Sequence, residues 1–185
     1  GFFDNRFTIG FDYYFKTTKD ILQRVAYPAT GGVASAPYVN IGEMQNNGLE
    51  VNMNYNSPTD REFHYELGLV LSHYKNEVKK LADNQFIANS YTRTEVGHPI
   101  SSFYGYVIDG IFQTQEEVDN HAQQNDKAVG RWRYRDINGD GVVNDEDRTY
   151  IGNPHPDLEY ALNTMFYYKN FDLTMFFQGT IGNDI

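Results

Sequence analysis

A chain of 185 residues with a net charge of −10 and no cysteine is long enough for one sizeable core. Phosphate recognition needs clustered Lys and Arg, so nucleic acid is not an expected partner. The absence of thiols excludes a disulfide framework, a thiol nucleophile and a zinc–thiolate site. The aromatic content, 15 Tyr and 13 Phe against one Trp, favours strands, because rings fit pleated, half-buried surfaces.

The N-terminal residues Gly1-Phe2-Phe3-Asp4 lack the basic and apolar regions of a signal peptide. They read as the end of a strand entering an Asp4-Asn5 turn, so the chain is expected to be an internal piece of a longer one. No run of about 18 apolar residues occurs, which leaves no candidate membrane-crossing helix.

Five segments then alternate with period two. Phe7, Ile9, Phe11, Tyr13 and Phe15 share one face, with Thr8, Gly10, Asp12 and Tyr14 on the other. Leu49, Val51, Met53 and Tyr55 oppose Glu50, Asn52 and Asn54; Phe63, Tyr65, Leu67, Leu69 and Leu71 oppose His64, Glu66, Gly68, Val70 and Ser72. After a long gap, Tyr160, Leu162, Thr164, Phe166 and Tyr168 oppose Ala161, Asn163, Met165 and Tyr167. Phe171, Leu173, Met175 and Phe177 oppose Asp172, Thr174, Phe176 and Gln178. These are strands over residues 7–15, 49–55, 63–71, 160–168 and 171–178.

A soluble β-sandwich alternates in the same way. Two features favour a transmembrane barrel: strands of about nine to eleven residues, as spanning strands require, and aromatic residues (Phe7, Phe15, Tyr55, Phe63, Tyr160, Tyr168) at the ends of the apolar face, where a barrel carries its girdles. The connections agree. Residues 56–62 and 169–170 are short links, whereas 16–48 and 75–157 are long, which is the alternation of periplasmic turns and extracellular loops. With Asp4-Asn5 periplasmic, the parity closes without a further spanning strand, and the whole excursion over residues 75–157 is expected outside the cell. Asp12, Glu50, Asn52, Asn54, Glu66, Asn163 and Asp172 should face a polar lumen.

Within the excursion, Thr114-Gln115-Glu116-Glu117 reads as a capping box opening a short helix through His121. Residues 103–112 are Tyr-rich, suited either to stacking on sugars or to packing within the loop. Residues 136–147 match a calcium loop of EF-hand type, with Asp136, Asn138, Asp140 and Asp147 at loop positions one, three, five and twelve and Gly141 at six. Calcium takes six to eight hard oxygens, so alternate side chains of a tight turn converge on it. The Val142 carbonyl and Asn144, directly or through water, would complete a structural calcium site. No helix is expected before it, and the closing Asp in place of Glu resembles the loop of bacterial dockerins. The alternative is an Asx-rich turn without metal. No catalytic residue is assigned: the five His residues are scattered, Glu116 and Glu117 do not face one another on a helix, and no phosphate-cradling glycine loop is present.

Several stretches resemble the SusC/RagA group of TonB-dependent outer-membrane transporters of Bacteroidetes-type bacteria. They are Gly1-Phe2-Phe3-Asp4-Asn5-Arg6-Phe7, Tyr13-Tyr14 to Asp20-Ile21-Leu22, Asn40-Ile41-Gly42-Glu43-Met44-Gln45-Asn46-Asn47-Gly48-Leu49-Glu50, and Gly97-His98-Pro99-Ile100 with Phe103-Tyr104-Gly105-Tyr106 and Asp109-Gly110-Ile111-Phe112-Gln113. Tyr134-Arg135-Asp136-Ile137-Asn138-Gly139-Asp140-Gly141 leads to Asp147-Arg148 and Ile151-Gly152-Asn153-Pro154-His155-Pro156. Phe171-Asp172-Leu173 runs through Phe176-Phe177-Gln178-Gly179 to Gly182-Asn183-Asp184-Ile185. The resemblance implies an all-β fold, part of a 22-stranded barrel in the Gram-negative outer membrane, closed by an N-terminal plug. It also implies import of oligosaccharides, or peptides in some members, driven by the TonB complex, with a SusD-like lipoprotein as extracellular lid. The chain corresponds to a piece of the C-terminal third, because five strands cannot close a barrel. The competing reading is a secreted carbohydrate-binding β-domain with a dockerin-like calcium loop.

Overall fold

The computed structural model describes residues 1–24, 38–40, 42–81 and 86–185. Five strands form its main sheet: β1 (Phe7–Thr18), β4 (Gly42–Asn56), β5 (Phe63–Leu81), β12 (Leu158–Tyr168) and β13 (Phe171–Ile181), all antiparallel and in that spatial order. Each is a predicted segment, and β5 and β12 are neighbours although 76 residues separate them in the chain. The part of the predicted 16–48 link formed by residues 25–37 and 41, which includes Ile41 of the resemblance, lies outside the described residues. On either side of it, β2 (Leu22–Arg24) pairs with β3 (Tyr38–Asn40).

The register sorts the side chains. Ile9, Met53, Leu69, Leu162 and Phe177 occupy one ladder row, so one face presents them side by side. The next row, on the opposite face, is Thr8, Asn54, Gly68, Asn163 and Phe176, and another is Asp12, Glu50, Ser72, Glu159 and Thr180. All seven polar residues expected on one face share it. The apolar face remains open: Phe11 is 67% exposed, Phe15 61% and Leu173 55%. A sandwich would cover this face with a second sheet, and among the described residues none lies over it. The fully buried apolar side chains are elsewhere, in Val78, Leu81, Phe112 and Val118. A face of this composition is stable only against lipid.

At the short-link end the apolar face carries an aromatic cluster in which Tyr55, Phe63, Tyr65 and Phe166 lie with ring centroids 5.7–6.3 Å apart. The links there are tight. Lys169, at φ 54, begins the two-residue turn between β12 and β13, and Ser57 closes the 57–62 link by accepting from Tyr65 N and donating its own N–H to Tyr65 O. Phe2 forms a single antiparallel bridge with Phe7, so the expected strand end before Asp4 is reduced to one bridge.

At the other end β4 and β5 continue well past their predicted limits, to Gly42 and Leu81. Alternation of polarity weakens beyond Ser72 because this part no longer separates lipid from lumen, but the ladder persists. Upon the extension sits the excursion. β6 (Ile87–Ala88), β7 (Thr92–Thr94), β8 (Ser102–Tyr106) and β11 (Arg148–Gly152) form a four-stranded sheet in the order β11-β8-β7-β6, and β9 (Ile108–Ile111) pairs with β10 (Trp132–Tyr134). Helix α1 (Gln115–Asn120) starts at Thr114, whose Oγ1 accepts from Glu117 N as the capping motif predicts.

The excursion is fastened to the wall. Asn76, 4% exposed, donates its amide to Asn46 (2.7 Å) and accepts from Ile100 N (2.8 Å). Val78 exchanges backbone hydrogen bonds with Gly97 and His98, and Val78 and Leu81 pack with Ile21, Ile87 and Ile100. His155 contacts Tyr74 Oη through Nδ1 and donates from Nε2 to Ile100 O.

Candidate functional site

The loop over residues 136–147 is a stack of side-chain-closed turns. Asp136 accepts from Gly139 N and Gly141 N at 2.7 and 2.8 Å. Asn138 accepts from Asp140 N and Asp140 from Val142 N, each two residues on, which is the Asx turn these residue types favour. Gly141 sits at φ +87, the left-handed conformation that calls for a glycine at loop position six. Asn144 then caps a 3-10 turn over Asp145–Asp147, accepting from Glu146 N while its own N–H is bonded by Asp147.

Asp147 does return to the start of the loop. Its carboxylate is fully buried and accepts from Asn144 N, Ile137 N and Asn138 N. These bonds, with that from Asn144 first, hold its pKa below the ordinary carboxylate range against the opposing effect of burial. Asp136, Asn138, Asp140 and the Val142 carbonyl have the hard-oxygen chemistry of a calcium site and lie in one tight turn. Among the described residues no group of three or more His, Asp or Glu side chains converges as a metal site does.

The loop is tied to its surroundings by two residues that carry no sequence signature. Gln123 forms a parallel bridge to the loop, donating to Gly141 O and accepting from Val143 N. Gln124 clamps β10, donating to Trp132 O and accepting from Tyr134 N. Arg135 forks onto Asp109 (2.6–3.1 Å), and that bond is the main cause of the lowered Asp109 pKa.

Beside the loop lies an open cavity of about 690 Å³ lined by Tyr91, Tyr104, Tyr106, Ile108, Tyr134 and Arg148 among others. Tyr106 donates to Asp145 of the loop at 3.3 Å. On the same sheet, Glu95 accepts from Tyr150 Oη (2.7 Å) and pairs with Arg93 (2.8 Å), and His98 stacks on Tyr150 with ring centroids 3.8 Å apart. The hydrogen bond from Tyr150 is the largest influence lowering the Glu95 pKa, while burial and then Glu95 itself raise that of Tyr150.

Residues 2–180 match the family model described as TonB dependent receptor-like, beta-barrel. TonB-dependent receptor P3 of Formosa agariphila is 34% identical over 99% of the chain, and TonB-dependent receptor SusC of Bacteroides thetaiotaomicron is 25% identical over 99%. The chain spans about a fifth of these relatives, 19% and 18% of their lengths. A solved structure of the RagAB peptide transporter superposes with a TM-score of 0.75 at 22% identity, over 97% of this chain and 20% of that one; at that identity the likeness is one of fold.

Proposed function

Because the chain belongs to the TonB-dependent receptor-like β-barrel family, whose barrels lie in the outer membrane, we propose that it is the wall and outer excursion of an active importer of oligosaccharides. The wall separates lipid from lumen, the polar rows of β1, β4, β5, β12 and β13 line the path of the cargo, and energy comes from the TonB complex through parts of the protein outside this chain. A surface lipoprotein of SusD type covers the excursion. The observation that carries the reading is the five-stranded sheet with one lipid-compatible and one polar face, matched to the family over almost its whole length.

Oligosaccharide is favoured as cargo by the tyrosine-lined cavity, since aromatic faces edged with polar groups suit sugar rings, and by the relative SusC. Peptide is the second reading, favoured by the fold shared with RagAB, a peptide transporter. Deleting the full-length receptor should abolish uptake of fluorescent oligosaccharides by intact cells, as should loss of TonB. Unchanged sugar uptake together with loss of peptide uptake would replace the first reading with the second.

The loop's role in this reading is to stiffen the excursion. Calcium, when bound, supplies a cation that offsets the crowded carboxylates; Asp136, Asn138, Asp140 and the Val142 carbonyl would hold it, with Asp147 and Asn144 completing the set.

A further inference from the structure

Five of the chain's seven lysines, Lys16, Lys19, Lys75, Lys79 and Lys80, lie at the outer ends of β1 and β5 or just past them. Lys16 pairs with Asn46 on the lumen side. The others sit on the lipid side. Along β5 the lumen-side residues Asn76, Val78 and Leu81 are buried against the excursion, whereas His73, Lys75, Lys79 and Lys80 are exposed. Strict alternation would send Lys79 and Lys80 to opposite faces. The register shift at Glu43/Met44 opposes Val78 to Met44 and Lys80 to Glu43, so Lys79 is the extra residue of a bulge and both lysines turn outward. Glu77 and Glu43 lie among them, Glu77 bridging Lys75 (3.8 Å) and Lys79 (2.6 Å) and Glu43 approaching Lys19 (3.9 Å).

The height of this patch selects its partner. Leu71 is the last apolar outward residue of β5, and Lys75 and Lys79 follow it by four and eight positions. At about 3.3 Å per residue and a tilt of about 35–45°, they stand about 10 and about 20 Å above the apolar band. A phospholipid headgroup layer is only about 5–8 Å deep. We propose that Lys19, Lys75, Lys79 and Lys80 bind the phosphates of a glycolipid whose anionic oligosaccharide headgroup rises along the outside of the barrel. Lysine stems lie along the wall while their ammonium groups reach the phosphates, and each lysine near an anionic lipid surface adds attraction. This assignment rests on the membrane placement of the sheet and is independent of the cargo.

The test uses the full-length receptor in detergent and native mass spectrometry of retained lipid. The probes are short-core lipopolysaccharide, the same lipid after enzymatic dephosphorylation, and phosphatidylglycerol. The wild type should retain the phosphorylated lipopolysaccharide over both other lipids, and Lys75→Gln/Lys79→Gln/Lys80→Gln should retain roughly tenfold less of it, while Lys127→Gln in the excursion changes nothing. Should the triple variant fail to assemble, the comparison of the three lipids on the wild type decides alone. Equal retention of phosphorylated and dephosphorylated lipid, equal retention of phosphatidylglycerol, or full retention by the assembled triple variant would overturn the proposal.

Discussion

Asp147 gathers three backbone N–H groups from both ends of its loop, so it closes the turn by hydrogen bonding in the place where an EF-hand loop closes on its ion. Asp147→Asn keeps the volume but removes one acceptor oxygen, and the amides of Ile137, Asn138 and Asn144 should then exchange several-fold faster with solvent while the main sheet is unaffected. For calcium, titration calorimetry on the full-length receptor should show binding in the range of about 10⁻⁴–10⁻³ M usual for extracellular modules, lost in Asp136→Asn/Asp140→Asn. No heat at millimolar calcium would leave an Asx-rich turn that works without metal. Glu95 offers a pH test. Its carboxyl pKa is lowered in the fold, first by Tyr150, so its stabilising contribution is complete above the ordinary value of about 4.3 and disappears as pH falls through the lowered one. Hydrogen exchange in β7, β8 and β11 should therefore be level from neutral pH down to about 5 and accelerate below about 4, and Tyr150→Phe should move that onset upward.

At the scale of elements, the prediction concerns the two faces. Leu69 stands between Met53 and Leu162 on the lipid side, while Asn52 and its neighbour Val70 belong to the lumen side. Arginine on the lipid face near mid-membrane costs about 2–4 kcal/mol, so Leu69→Arg should sharply reduce the heat-modifiable, assembled receptor and Asn52→Arg should not; equal losses would place both residues in a closed core. These strands are legible in the sequence because lipid on one side and water on the other impose a strict period of two on residues such as 63–71. Outside the membrane that pressure ends, so the further run of β5 to Leu81 and the short strands β6 to β11 leave little pattern. The α1 cap and the turn glycine Gly141 are local and can be read directly. Asn76, Gln123, Gln124 and His155 cannot, because their partners are distant or belong to backbone; His155 meets Tyr74 across 81 positions. The side chains of residues 136, 138 and 140 form a recognisable set by spacing, but spacing cannot show that Asp147 turns to N–H groups.

For the whole molecule, wall and excursion must be rigidly joined. Asn76 is the buried centre of that join, and Asn76→Ala would leave Ile100 N without its acceptor, at a cost of about 1–3 kcal/mol; limited proteolysis should then cut residues 86–157 faster while the barrel stays heat-modifiable. Everything proposed for this chain depends on its crossing the outer membrane with the 57–62 turn inside and the excursion outside. The chain has no native cysteine, so single thiols can report that placement. Asp60→Cys and Asp119→Cys would be made separately in the full-length receptor, with any other accessible thiols removed, and each labelled on intact cells with a membrane-impermeant maleimide. Position 119 should label on intact cells, and position 60 only after the outer membrane is permeabilised. Labelling of position 60 on intact cells, or protection of position 119, would show that the sheet does not cross the membrane in this sense.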